Sequence, residues 1–170
     1  RSLANGVFYE SPAMGGFTAR LSASPERSQM SPTARREGRG YSAALNYDSD
    51  TLSAMLAFER NGSGDKDSFA AAKYSFGAAA VMAAYDYSRM AENLGRSRAI
   101  TLGATYQVGA TTFKAGYGRQ RLDADTNHFY SLGADYALSR RTTLYASLGR
   151  KSYDSEKSRT AFGLGMAHAF

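Results

Sequence analysis

Cysteine and tryptophan are both missing from this chain of 170 residues, and only two histidines and three prolines occur in it. Without cysteine there are neither disulfides nor thiolate metal sites. Two histidines leave few routes to an enzyme. No run approaches the roughly 18–20 consecutive apolar residues of a membrane-spanning helix, which excludes a helical membrane protein. A membrane β-barrel is not excluded, because its strands carry apolar residues only at alternate positions and their signal is weak by nature. Heptads and long helical stripes are absent as well. The chain opens on Arg1 with no basic region and apolar region of a secretory signal behind it, so it reads as a mature chain or a piece of one.

What is present points to an aromatic-rich β-protein of one domain, residues 1–170, with seventeen glycines, twelve tyrosines and nine phenylalanines. The net charge is +6 and the isoelectric point is near 9.6. Such a balance can mark nucleic-acid binding. Here the basic residues are spread along the whole length, with Arg35-Arg36 and Arg140-Arg141 as the only arginine doublets. That distribution suits loops and a solvated surface, and no nucleic-acid partner is expected.

Segments of alternating apolar and polar residues recur throughout, and a period of two means a β-strand with two different faces. In the closing segment Phe162, Leu164, Met166, His168 and Phe170 share one face, while Gly163, Gly165, Ala167 and Ala169 share the other. Eleven such segments are expected: Leu3–Glu10, Phe17–Ser24, Tyr41–Asp48, Leu52–Arg60, Ser68–Phe76, Ala79–Ser88, Ala99–Val108, Thr112–Gln120, Phe129–Leu138, Thr143–Lys151 and Ala161–Phe170. Most are long enough to approach the roughly 9–11 residues of a tilted transmembrane strand, whereas globular strands average about 5–6. Tyrosine or phenylalanine stands near the end of many apolar rows with aliphatics in the middle, as in the rows Tyr41–Tyr47 and Tyr130–Leu138. Amphipathic rings belong at the membrane–water boundary.

The connections alternate between short ones (Pro12–Gly16, Ser49–Asp50, Gly77–Ala78, Gly109–Thr111, Ser139–Thr142) and long charged ones (Pro25–Gly40, Asn61–Asp67, Arg89–Arg98, Arg121–His128, Ser152–Thr160). Short turns on one rim and long loops on the other are the asymmetry of outer-membrane barrels. The expected fold is therefore all-β, an antiparallel transmembrane up-and-down β-barrel. Eleven strands leave the first and last unable to close antiparallel, since bacterial barrels of one chain have an even strand number. An exposed edge in lipid would leave ladder groups unsatisfied. The favoured solution is that the chain is part of a larger barrel. The alternative is a small complete barrel of about 12 strands with an enzymatic or adhesin-like role, and a soluble β-sandwich binding module is a third class.

Three stretches carry a family resemblance. They are Ser2-Leu-Ala-Asn-Gly-Val-Phe-Tyr-Glu-Ser-Pro12 followed by Gly15-Gly-Phe17, then Leu132-Gly-Ala-Asp-Tyr-Ala-Leu-Ser-Arg-Arg-Thr-Thr-Leu-Tyr145, and Phe162-Gly-Leu-Gly-Met-Ala-His-Ala-Phe170. They resemble the general outer-membrane porins of Gram-negative bacteria, especially the β-proteobacterial and neisserial type. The resemblance covers essentially the whole chain. It implies a homotrimer of barrels of about 16 strands, in which the first motif falls on the sixth strand and this chain is the C-terminal portion. It also implies localisation in the outer membrane and passive diffusion of small hydrophilic solutes. Membrane lipids, lipopolysaccharide and the barrel-assembly machinery are the implied partners, with no cofactor. Phe8 stands where the relatives commonly carry Lys or Arg, and Met14 where they often carry Phe, so a weaker basic wall is expected.

By alternation, the polar face offers Arg20, Glu59, Lys73, Asp86, Lys114, Asp135 and Lys151 as pore-lining candidates, together with Glu10, Asn46, Asp48 and Gln120. Fixed charges in a pore bias ion passage. Four of the seven are cationic and three anionic, so at most mild anion selectivity is expected. Phe170, a terminal aromatic after alternate hydrophobics, resembles the signal read by the assembly machinery. Arg35, Arg36 and Arg39 are candidates for lipopolysaccharide phosphates. His128 with Asn127, Asp123 and Asp125 would form a catalytic site only by converging with a nucleophile, and none is expected. Asp65-Lys-Asp67 and Asp123-Ala-Asp125 lack the rest of a calcium loop, and no metal site is expected.

Overall fold

The computed structural model describes residues 6–24, 39–91, 95–123, 125–154 and 157–169. Eleven strands follow one another: β1 Val7–Glu10, β2 Phe17–Ser24, β3 Gly40–Asp48, β4 Leu52–Arg60, β5 Lys66–Phe76, β6 Ala79–Arg89, β7 Arg96–Val108, β8 Thr111–Leu122, β9 Asp125–Ala137, β10 Thr142–Tyr153 and β11 Arg159–His168. They form one sheet in which strand order is chain order. Each resolved pairing is antiparallel. The expected strand number and sequence positions therefore hold.

The connection between β8 and β9 is shorter than expected. β8 runs on to Leu122 and β9 begins at Asp125, so the stretch expected as a loop, Arg121–His128, is mostly ladder. Arg121 faces Thr126 and Leu122 faces Asp125 in register. The reversal is made at Asp123, whose φ is 48°, a left-handed conformation that aspartate tolerates. Polar composition marked these residues as loop, but a ladder in water needs only cross-strand hydrogen bonds, not an apolar face. The loop between β4 and β5 is built in the same economical way. Asn61 Nδ2 donates to Asp65 Oδ2 at 2.7 Å, the Asp65 amide donates to Asn61 Oδ1 at 2.9 Å, and the Ala91 amide donates to Asp65 Oδ1 at 2.8 Å.

The opposite rim carries tight turns. Two-residue connections open on Gly77 (φ 56°) and Gly109 (φ 57°), the positive φ that a hairpin turn of type II′ requires at its first position. Gly16 (φ 87°) is needed for a second reason: a Cβ there would lie 2.5 Å from the Asp48 carbonyl oxygen.

Two compact units can be distinguished, Arg1–Ala72 with Tyr85–Arg98, and Lys73–Ala84 with Ala99–Phe170. In the first, register places Phe17, Ala19, Leu21, Tyr41, Ala43, Leu45, Tyr47, Leu56 and Phe58 on one face. In the second it does the same for Phe113, Ala115, Leu132, Ala134, Leu148, Leu164 and Met166. Neither unit hides this face. Among the described residues the one buried hydrophobic residue is Ala80, while Leu164 is 74% exposed and Phe162 71%. A soluble sandwich would bury such a face against a second sheet. In each unit, a row of large apolar side chains left exposed along one face suits a hydrocarbon solvent instead.

Candidate channel wall

The charged candidates stand on the face opposite the apolar rows. In the first unit Glu10 is directly opposite Arg20, and Glu59 is opposite Ser42 on that same face. Arg20 Nε donates to Glu10 Oε2 at 2.7 Å, with Nη2 at 3.5 Å from Oε1. Ser22 and Ser42 hydroxyls meet beside them at 2.8 Å. Asp86 accepts from the Ser88 hydroxyl at 3.3 Å. Phe8 shares this polar face, facing Ser22 in register, and is 70% exposed there.

In the second unit Lys114, Gln120, Asp135 and Lys151 share the polar face, and alternation gives Lys73 the face opposite Ala72 and Tyr74. Lys114 is in register with Gly133, not with Asp135, yet its ammonium forms an ion pair with the Asp135 carboxylate. The glycine between them leaves the diagonal open. Lys151 Nζ lies 4.8 Å from the centre of the Tyr153 ring, a cation–π contact. Two of the expected cations are thus neutralised locally: Arg20 by Glu10, and Lys114 by Asp135. Lys73, Lys151, Glu59 and Asp86 form no ion pair among the described residues.

Aromatic residues on the polar face escaped the sequence reading, which assigned rings to the apolar rows. Phe129, Tyr145 and Tyr153 share the parity of Lys151 and Asp135. Each of the first two lies over a glycine of the next strand. A Cβ on Gly149 would be 3.5 Å from the Phe129 ring, and one on Gly165 would collide with the Tyr145 phenol. The small residues of this face are therefore the floor on which neighbouring side chains lie. The parity count would have found these rings; their glycine partners needed the register.

The remaining candidates do not assemble into a catalytic or metal site. His128 stands on the apolar face, with Nδ1 3.0 Å from the Tyr117 hydroxyl, while Asp125 and Asn127 project from the opposite face of β9. His168 meets the Thr142 hydroxyl at 2.9 Å. Asp65 serves the loop hydrogen bonds described above, and no cluster of three potential metal-ligating groups exists among the described residues. Arg35, Arg36 and Phe170 lie outside the described residues.

A one-layer antiparallel sheet, apolar and exposed on one side and charged on the other, is the fold of outer-membrane strand proteins. The chain belongs to the family of Gram-negative porins, whose sequence profile matches residues 1–156. It is 26% identical to the outer membrane porin protein 32 of Delftia acidovorans, over 98% of this chain and 56% of that protein. Among solved structures it is similar in fold to Salmonella typhi OmpF (12% identity, 95% of this chain and 61% of that one, TM-score 0.75). It is also similar to a variant of the Rh. blastica porin (21% identity, 97% and 55%, TM-score 0.70). The chain thus spans about half to three-fifths of the length of these relatives. It is an outer-membrane protein of the Gram-negative type, and the proteins it matches are porins rather than enzymes.

Proposed function

We propose that this chain is the C-terminal portion of a water-filled diffusion channel, a barrel of about 16 strands that assembles as a homotrimer. The observation that carries the reading is the two-sidedness of each unit: exposed apolar rows on one face, and on the other Arg20, Glu59 and Asp86 in the first unit and Lys73, Lys114, Asp135 and Lys151 in the second. Family membership and the fraction of the relatives' length that is matched support it. The charged face lines the water passage and small hydrophilic solutes cross by diffusion. The rim bearing the Asp123 hairpin and the Asn61–Asp65 loop faces outward from the cell, and the tight turns at Gly77 and Gly109 face the periplasm. Phe170 serves as the signal for the barrel-assembly machinery, and lipopolysaccharide surrounds the outer rim.

Ion preference in this channel is weak. A pore charge acts on passing ions through electrostatic barriers, and in water a unit pair about 4 Å apart is worth only ~1 kcal/mol. Pairing of Arg20 with Glu10 and of Lys114 with Asp135 removes most of even that. Lys73 and Lys151 are then offset in number by Glu59 and Asp86, so at most a mild anion preference is left. The deciding experiment is single-channel conductance of the full-length protein in planar bilayers, with reversal potentials in a salt gradient. Stable open channels with a potential near zero, at most slightly anion-directed, are expected; absence of conductance would overturn the reading. Lys151→Glu is expected to move the potential toward cations, and an unchanged value would remove Lys151 from the wall.

A further inference from the structure

The charged face of the second unit carries a cavity of its own. Its volume is about 320 Å³, and Thr101, Gly118, Gln120, Asn127, Phe129 and Lys151 are among the residues that line it. That lies near the lower end of the roughly 300–1,000 Å³ of small-molecule sites, so the cavity suits a solute built on one ring. Register explains how the space arises. Gly118, Phe129, Lys151 and Arg159 stand in one row across β8, β9, β10 and β11, and Gln120, Asn127 and Tyr153 form the row nearer the Asp123 hairpin. The Phe129 ring leans over Gly149, toward β10, so the space over Gly118 on its other side stays open. A Cβ on Gly118 would meet Phe129 Cβ at 3.6 Å and the Ile100 carbonyl oxygen at 3.9 Å, which is ordinary contact.

The lining divides into an apolar part and a polar part. Phe129 is 45% exposed although it shares the face of the charges, so an open ring surface borders the glycine floor. Lys151 is directly opposite Phe129 in register. Its ammonium forms no ion pair among the described residues and lies 4.8 Å from the centre of the Tyr153 ring. Arg159, opposite Lys151 on β11, adds a second positive charge to the row. The side-chain amides of Gln120 and Asn127 form no hydrogen bond among the described residues. Asp125, the next carboxylate of this face along β9, is separated from Phe129 by Asn127.

We propose that this cavity binds a small aromatic carboxylate moving along the charged face, a step beyond free diffusion that rests on the channel reading of that face. The ligand ring lies over Gly118 beside the Phe129 ring, its carboxylate accepts from the Lys151 ammonium, and the amides of Gln120 and Asn127 meet further polar substituents. The chemistry of the lining selects this class. A carboxylate offers the ammonium a charge-assisted hydrogen bond, and an aromatic ring gains stacking with Phe129. A neutral ring would leave Lys151 without an anion, and a small inorganic anion would leave the Phe129 ring against water. Binding is weak, because a site along a passage must release its solute as readily as it admits it.

The test uses full-length protein in detergent, titrated with benzoate while saturation transfer from protein to ligand is followed by NMR, with protein-free detergent as the blank. A saturable curve is expected. Lys151→Gln, which removes the charge-assisted contact, is expected to weaken binding about tenfold. Phe129→Leu is expected to weaken it several-fold, and Gly118→Leu, whose side chain occupies the cavity, to abolish saturation. Arg140→Gln, which removes an equal charge on the turn rim, should leave the curve unchanged. Acetate and benzamide, which each lack one of the two features, should bind more weakly than benzoate. A wild-type curve that does not saturate, or one that ignores both Lys151→Gln and Gly118→Leu, overturns the site. Benzamide bound as tightly as benzoate overturns the part given to Lys151, and acetate bound as tightly overturns the part given to Phe129. Conductance of the same protein separates the two readings: open channels without saturable benzoate binding refute the site alone, and saturable binding without channels refutes the diffusion function alone.

Discussion

Lys114 and Asp135 are ion-paired along a diagonal of the β8–β9 ladder, across Gly133 rather than directly opposite one another. Diagonal neighbours are about 7–8 Å apart at Cα, within reach of a long side chain. Asp135 is instead in register with Thr112 and Tyr145. The pair therefore contributes little net charge to its surroundings, and its members should behave as a unit. Lys114→Gln is expected to move the reversal potential toward cations and Asp135→Asn toward anions. The double substitution removes one charge of each sign and should return it near wild type. A double variant whose potential stays displaced like that of either single variant would show that the two charges act separately.

Gly165 is the floor for the Tyr145 ring. Gly165→Val would push that ring off its rotamer, and overpacking of this kind costs about 1–3 kcal/mol. Urea unfolding of vesicle-inserted full-length protein is the appropriate measurement. In a Tyr145→Ala background the same substitution should cost less than half as much. Equal costs in the two backgrounds would mean that Tyr145 is not what the glycine accommodates.

Leu132 and Ser131 are sequence neighbours on opposite faces of β9, in register with Leu148 and Gly149 respectively. If the apolar face meets hydrocarbon, Leu132→Arg should cost about 2–4 kcal/mol in a bilayer, the range for arginine on the lipid face near mid-depth. Ser131→Arg, on the charged face, should cost under about 1 kcal/mol by the same measure. The reverse order would exchange the two faces.

Asp65 carries three of the hydrogen bonds that close the β4–β5 loop and tie it to Ala91. Asp65→Ala removes both side-chain acceptor contacts, worth roughly 1–3 kcal/mol locally. Faster proteolytic nicking between residues 61 and 65, with unchanged global unfolding, is the expected result. Asp65→Asn keeps the acceptor oxygen toward Ala91 and should be nicked at an intermediate rate.

Sequence alternation determined a great deal. It assigned Phe162, Leu164 and Met166 to one face and Gly163 and Gly165 to the other, gave the number and positions of the strands, and placed Lys114, Asp135 and Lys151 together. These are local properties, since consecutive side chains on a strand point to opposite sides whatever lies beside them. Loop composition was a poorer guide. Arg121 and Asp125 looked like loop residues because they are polar, yet they belong to a ladder that extends past the apolar band. What only the tertiary structure decided is which side chain of one strand reaches which residue of the next. That Lys114 spends its charge on Asp135, that Tyr145 fills the space left by Gly165, and that Tyr117, Tyr130 and Arg150 stand in one row across three strands all depend on register. Register is set by hydrogen bonds between strands whose residues are far apart in sequence, and a one-residue slip would exchange every one of these neighbours.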